Sequence, residues 1–191
     1  MGNFKTLGRR CAAWLRAPRT FATLLAVLLC GPVVAVAEQS ASEHAVKAAI
    51  VYKIAKFVSW PEDALADDGD LPICLPDEDP IGPAMDALAG KQVQGRTIRI
   101  HRFNSTDGLA EECAVLFLSQ AAALPRPSLV SGVANAPVLT IGDSKDFVDI
   151  GGIVTLEVQK NRVQFAINVR ASDRAGLGIS AQLLQLAKIR N

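Results

Sequence analysis

Few side chains in this sequence could do chemistry, and they do not cluster. Neither of the two histidines, His44 and His101, sits in a metal-ligand spacing such as His-x-x-x-His. There is no Gly-x-Ser-x-Gly elbow, no P-loop and no Gly-x-Gly-x-x-Gly after the first predicted strand. Asp67-Asp68-Gly69-Asp70 lacks the spacing and the distal Glu of a calcium loop and reads as a solvated acidic loop. Asn104-Ser105-Thr106 fits a glycosylation acceptor, which matters only in a eukaryotic secretory pathway. The expectation is no catalytic residues, no metal and no cofactor. One loop stands out. Gly142-Asp143-Ser144 follows the apolar run Pro137–Ile141, where open α/β sheets place ligands. Backbone N–H groups there could hold an anion, so Gly142, Asp143 and Ser144 are candidate ligand-binding residues. The competing reading is a capped turn that binds nothing.

The cysteines say more once the N-terminus is understood. Residues 1–20 carry Lys5, Arg9, Arg10, Arg16 and Arg19 and no acid. Phe21–Cys30 is apolar apart from Thr23, and Val34-Ala35-Val36-Ala37 ends in a small-residue site. That is the plan of a secretory signal peptide, with cleavage expected after Ala37. The apolar run is short of the roughly 20 residues of a membrane span. Lipidation at Cys30 would want a small residue before it, and Leu29 is not small. Residues 38–191 then carry 15 of the 20 basic residues and all 19 acids, a net charge of −4. A chain with no basic surplus is not built to neutralise phosphates, which argues against nucleic-acid binding. Cys11 and Cys30 leave with the leader, so Cys74 and Cys113 remain. Two cysteines in an exported protein are expected to join as a disulfide.

The elements that must position these groups follow from local pattern. Ser42 is expected to cap a helix from Glu43 to about Ser59, stopped by Trp60-Pro61. Val46, Ala49, Ile50, Ile54 and Phe57 follow helical spacing, and Ala48, Val51 and Ala55 make a second apolar side. A helix with no clean polar face is covered on two sides or meets a partner. Tyr52 and Lys56, four apart on one stripe beside Ala48, Val51 and Ala55, are the candidate partner-binding residues. Strands are predicted at Leu71–Leu75, Thr97–Phe103, Cys113–Ser119, Pro137–Ile141 and Ile153–Val158. The last pairs with Arg162–Val169 in a hairpin across Lys160-Asn161. Asp79-Pro80 opens a second helix running to about Ala89, and one short helix falls in 124–136. Ser172 or Asp173 caps a last helix running to the C-terminus. Half the residues are hydrophobic and 20% are charged, as in a folded globular chain. The sum is a single-domain α/β layered sandwich over 38–191. Its central sheet is mixed and largely parallel, flanked by helices, with a C-terminal hairpin plus helix.

The run Val46-Lys47-Ala48-Ala49-Ile50-Val51-Tyr52-Lys53-Ile54-Ala55-Lys56-Phe57-Val58-Ser59-Trp60-Pro61 resembles the opening helix of the YfiR family of exported bacterial proteins. Ile73-Cys74, Asp79-Pro80 with Gly82, and Gly90-Lys91 with Val93 and Gly95-Arg96 match in order. So do Cys113 with Val115–Ser119, Leu139–Ser144 with Phe147 and Gly151-Gly152, Arg162–Asn168, and the helix holding Leu177, Ile179-Ser180 and Leu183-Leu184. The resemblance implies a periplasmic regulator without catalytic activity. It would repress an inner-membrane diguanylate cyclase, or another membrane sensor, by binding its periplasmic region. It also implies sequestration by an outer-membrane lipoprotein and a capacity to form a homodimer. The family's cysteine pair falls on Cys74 and Cys113; the second pair of some members, near 142–155, has no counterpart. The other reading left by the residues is a periplasmic sensor of a small ligand, a nucleotide or another anion. The leader predicts that the exported protein starts at Glu38. Intact mass of periplasmic material checks this, and an acylated form starting at Cys30 would refute it.

Overall fold

A computed structural model describes residues 33–66, 69–122, 124–159 and 162–190. Contacts group Ala37–Asn191 into one compact unit. The elements in order are α1 (Val33–Ala55), β1 (Val58–Ser59), β2 (Asp70–Pro76), α2 (Gly82–Asp86), β3 (Gln92–Val93), β4 (Arg96–Phe103), α3 (Leu109–Glu112) and β5 (Val115–Leu118). They continue with α4 (Arg126–Gly132), β6 (Leu139–Gly142), β7 (Val154–Gln159), β8 (Arg162–Asn168), α5 (Val169–Arg174), β9 (Gly178–Ile179), α6 (Ala181–Leu186) and β10 (Lys188–Arg190).

Eight strands form one sheet in the order β10-β8-β7-β6-β5-β2-β4-β3. From β4 to β7 every neighbouring pair is parallel, while β7–β8 and β3–β4 are antiparallel. The expected mixed, largely parallel α/β layering is therefore present. The central strands are buried on both faces, which is why they read as continuous apolar runs. Alternation along them supplies two cores. Ile73, Leu75, Val115 and Phe117 face α1, α2, α5 and α6 with Val51, Ile54 and Met85. Cys74, Leu116 and Leu118 face α3 and α4 with Leu109, Leu129 and Val130. In the β3–β4 hairpin, Gln94 (φ 51°) and Gly95 (φ 83°) are both left-handed, as a two-residue primed turn requires. The terminal edge strand β10 is exposed along its length, and its Lys188 and Arg190 discourage edge pairing.

Several expectations are corrected. The first helix ends at Ala55 rather than Ser59, and Ser42 lies inside it rather than at its start. Val58 and Ser59 pair antiparallel with Ile179 and Gly178, and Ser180 N donates to Phe57 O at 2.9 Å. A partner about 120 residues away takes the backbone that local pattern assigns to the helix. The second helix starts at Gly82, with Ile81 as its N-cap residue. Asp79 instead makes a turn ahead of it, its Oδ1 accepting from Ile81 N at 3.1 Å. Cys113 is not on a strand; it ends the short helix α3, which the pattern does not reveal. The C-terminal helix is two helices. Asn168 caps α5 and Ser180 caps α6, with Gly176 (φ +69°) and β9 between them. The hairpin turn at Lys160-Asn161 lies outside the described residues.

The Cys74–Cys113 disulfide is formed, with 5.7 Å between Cα atoms and a sequence separation of 39. It ties the middle of β2 to the segment entering β5, and both residues are buried in the second core. A loop of that length is worth about 4 kcal/mol in the chain-entropy account. Replacing both cysteines by Ala should lower unfolding free energy by about that amount, read by denaturant melts of oxidised and variant protein. A drop under about 1 kcal/mol would show that the bridge constrains little.

Candidate functional site

In the parallel part of the sheet, β4 follows β2 on one side and β5 returns on the other. The chain reverses direction between β2 and β5, and open α/β sheets have their crevice beyond the strand ends at such a point. A cavity of about 520 Å³ lies there. Asp79, Pro80 and Ile81 from beyond β2, Ser119 and Gln120 from beyond β5, and Asp143 and Lys145 from beyond β6 line it. Glu43, His44 and Lys47 of α1 and Leu156, Glu157 and Val158 of β7 complete the wall.

Lys47 is the group that closes this end of the molecule. It comes off α1 one turn ahead of the buried Val51 and is itself only 8% exposed. A lysine in that position must find a partner. Its Nζ lies 2.7 Å from Asp143 Oδ2 and 2.7 Å from Glu43 Oε1, one turn back on the same helix. Asp143 accepts in turn from Gln120 N at 2.5 Å, so one carboxylate joins α1, the β5 loop and the β6 loop. Asp79 makes the matching tie on the other side, its Oδ2 accepting from Ser119 N at 3.3 Å. Burial alone would lower the pKa of Lys47. The hydrogen bonds and charges of Asp143 and Glu43 outweigh it and hold the ammonium above its ordinary 10.5. The stability contributed by this raised pKa is thus fully present below pH 10.5 and is lost as pH rises through the raised value. Across the physiological range Lys47 is a fixed cation.

The expected loop residues have distinct surroundings. Gly142 lies flat against Phe147, where a Cβ would sit 2.3 Å from Cδ2 of the ring, and Gly152 closes the other side at 2.2 Å. Asp143 faces the cavity, already paired with Lys47 and Gln120. Ser144 is buried, and its Oγ has no hydrogen-bond partner among the described residues. The two expected partner residues lie at the other end of α1. Tyr52 is half-buried and donates its hydroxyl to Gln92 O at 3.1 Å. Lys56 is exposed, with Nζ 5.4 Å from the Tyr52 ring centroid. Ala48, Val51 and Ala55, expected beside them on an outward stripe, are core residues at 2%, 0% and 0% exposure. They pack in the first core together with Ile54.

Of the histidines, His44 lines the cavity. His101 is exposed, with Nε2 3.4 Å from Glu112 Oε2. Among the described residues no three His, Cys, Asp or Glu side chains group to hold a metal, and Asp67 and Asp68 lie outside those residues. The pattern missed Lys47, Asp79 and Gln120 as site residues. Lys47 carried a signal, as a charge one turn ahead of the apolar Val51.

Breaking a buried pair leaves an uncompensated charge, whereas replacing both partners by apolar groups does not. Lys47→Met should therefore cost about 3 kcal/mol, and adding Asp143→Leu should recover most of it. Glu43→Gln, which removes only the half-exposed i,i+4 partner, should cost about 0.5 kcal/mol. Chemical denaturation of the four proteins with wild type checks the order.

One solved structure shows the same kind of fold at low identity. A conserved domain protein from Vibrio cholerae O1 biovar El Tor superposes with a TM-score of 0.53 at 12% identity, over 78% of this chain and 60% of that one. The chain thus spans less than two thirds of that protein's length. A Streptococcus pneumonia ABC domain in complex with L-Trp gives a TM-score of 0.45 at 12% identity, over 66% of this chain and 57% of that one. A family model described as YfiR/HmsC-like matches residues 44–188, from the second residue of the predicted first helix to the start of β10. With most of its length matched, including the clasp of Lys47 and Asp143 and both bridged cysteines, the chain belongs to the YfiR/HmsC-like family.

Proposed function

We propose that this protein is a periplasmic regulator that restrains a membrane-bound diguanylate cyclase, or a similar membrane sensor, by binding its periplasmic region. Cyclic di-GMP signalling would fall as a result. Family membership supports a regulatory role in cyclic di-GMP signalling. The observation that carries the binding mode is the outward side of α1. Val46 is 43% exposed and Phe57, just past the helix end, is 40% exposed. Ala49 and Lys53 are exposed between them. Positions 46, 49, 53 and 57 follow one helical stripe. Apolar groups kept in water at that spacing are the raw material of an interface, where a few anchors dominate the energy. Tyr52 and Lys56 flank the stripe and serve as its polar border. An outer-membrane lipoprotein that sequesters the regulator, and a homodimer of the regulator itself, would compete for the same surface. A second reading, a periplasmic sensor of a small ligand such as a nucleotide or another anion, is favoured by the cavity that Lys47 lines.

The test uses cells lacking the native copy and a cyclic di-GMP reporter. Wild type should lower the signal. Phe57→Glu and Lys56→Glu should restore it while leaving export and melting temperature nearly unchanged, because both sites are exposed. Losing one such anchor costs about 2 kcal/mol, a roughly thirtyfold weaker complex. Folded, exported variants that both repress as well as wild type would remove α1 as the docking surface.

A further inference from the structure

The backbone around Phe57 is fixed from three directions. Its N–H donates to Ile54 O at 2.9 Å, and its carbonyl accepts from Ser180 N at 2.9 Å. Gln94, at the tip of the β3–β4 hairpin, donates its Nε2 to the carbonyls on either side, Val58 O at 2.7 Å and Lys56 O at 3.3 Å. Three segments distant in sequence thus hold one aromatic residue in place, yet its side chain stays 40% exposed. An apolar anchor fixed before contact loses little freedom on binding.

The same three segments share a charge pattern. Residues 44–61, 87–106 and 174–191 contain no Asp or Glu, although acids outnumber bases over 38–191. Lys53, one turn before Phe57, and Lys56, next to it, are both exposed. Neither has an ion-pair partner among the described residues. The next acid along the chain, Glu62, lines a small crevice with Arg96 and with neither lysine. Cations left unpaired beside an exposed anchor favour a partner that brings the counter-charge. A second copy centred on Phe57 brings the same acid-free segments, so charge makes it the weaker competitor. An anionic bilayer is also a poor match. Lipid-binding surfaces cluster roughly four to eight basic residues, and the acidic chain as a whole is repelled.

We propose that the surface centred on Phe57 receives an acidic segment of another protein, which sets an apolar side chain on Phe57 and carboxylates against Lys53 and Lys56. This rests on the docking role of α1 proposed above and adds the chemistry of what docks there. The test uses tagged, exported protein in cells lacking the native copy. A water-soluble carbodiimide is added to the periplasm; it condenses an amine with a carboxylate in contact with it. Digestion and mass spectrometry should find Lys53 or Lys56 joined to Asp or Glu of an inner-membrane protein, with the link lost in Phe57→Glu. Lys53→Glu combined with Lys56→Glu should weaken capture of that same protein about tenfold. If the linked protein is not a diguanylate cyclase, the acidic-segment proposal stands and the cyclase reading falls. If Phe57→Glu raises cyclic di-GMP but neither lysine links to a carboxylate of another protein, the cyclase reading stands and this proposal falls. Links only to another copy of this chain, recognised in mixed nitrogen-14 and nitrogen-15 protein, would overturn it. So would sedimentation with phosphatidylglycerol vesicles that the double lysine variant loses, or a double variant that captures the membrane protein as well as wild type.

Discussion

A charge inside a protein must be answered where it lies, and Lys47 sets the terms for this one. Its helix is otherwise held by apolar contacts of Ala48, Val51, Ile54 and Ala55. Hydrophobic burial is roughly proportional to area and has no direction. The ammonium adds direction. Only one placement of α1 over the sheet brings Nζ to Asp143, and Asp143 is itself fixed by Gln120 N. The helix, the β5 loop and the β6 loop are therefore positioned together. The exposed stripe around Val46 and Phe57 is a consequence, because fixing one side of a helix against the sheet fixes what the other side presents.

The disulfide does a different job on the opposite face. It joins β2 to the entry of β5, the two strands between which the chain reverses direction. Parallel neighbours cannot be joined by a short turn, so their pairing depends on contacts distant in sequence. A covalent tie across that pair removes freedom from the unfolded chain at the place where the fold is most non-local. Asp79 reinforces the same junction with hydrogen bonds, from Ile81 N on its own loop and from Ser119 N beyond β5. The crevice beyond β2 and β5 is thus flanked by the hydrogen bonds of Asp79 and by the charged clasp of Lys47 and Asp143.

Much of this was legible in the sequence, because much of it is local. Largely apolar runs around 71–75, 114–118 and 137–141 announced strands buried on both faces, and alternation at 163–167 announced a hairpin. The pairing of Cys74 with Cys113 followed from counting, once Cys11 and Cys30 were assigned to the expected leader. The tertiary structure decided what depends on distant neighbours. Helical spacing ran past Ala55, yet Val58 and Ser59 became a strand because residues 178–179 offered a partner. Nothing within a turn or two of Lys47 says that its counter-charge is Asp143, which lies 96 residues away. The two apolar sides of α1 looked alike in one dimension, and only packing buried Ala48, Val51 and Ala55 together with Ile54 while leaving Val46 and Phe57 in water. Periodicity and residue type are properties of a short segment and can be read there. Register, ion pairing and the choice of buried face are settled by groups brought together from far along the chain, which no short segment contains.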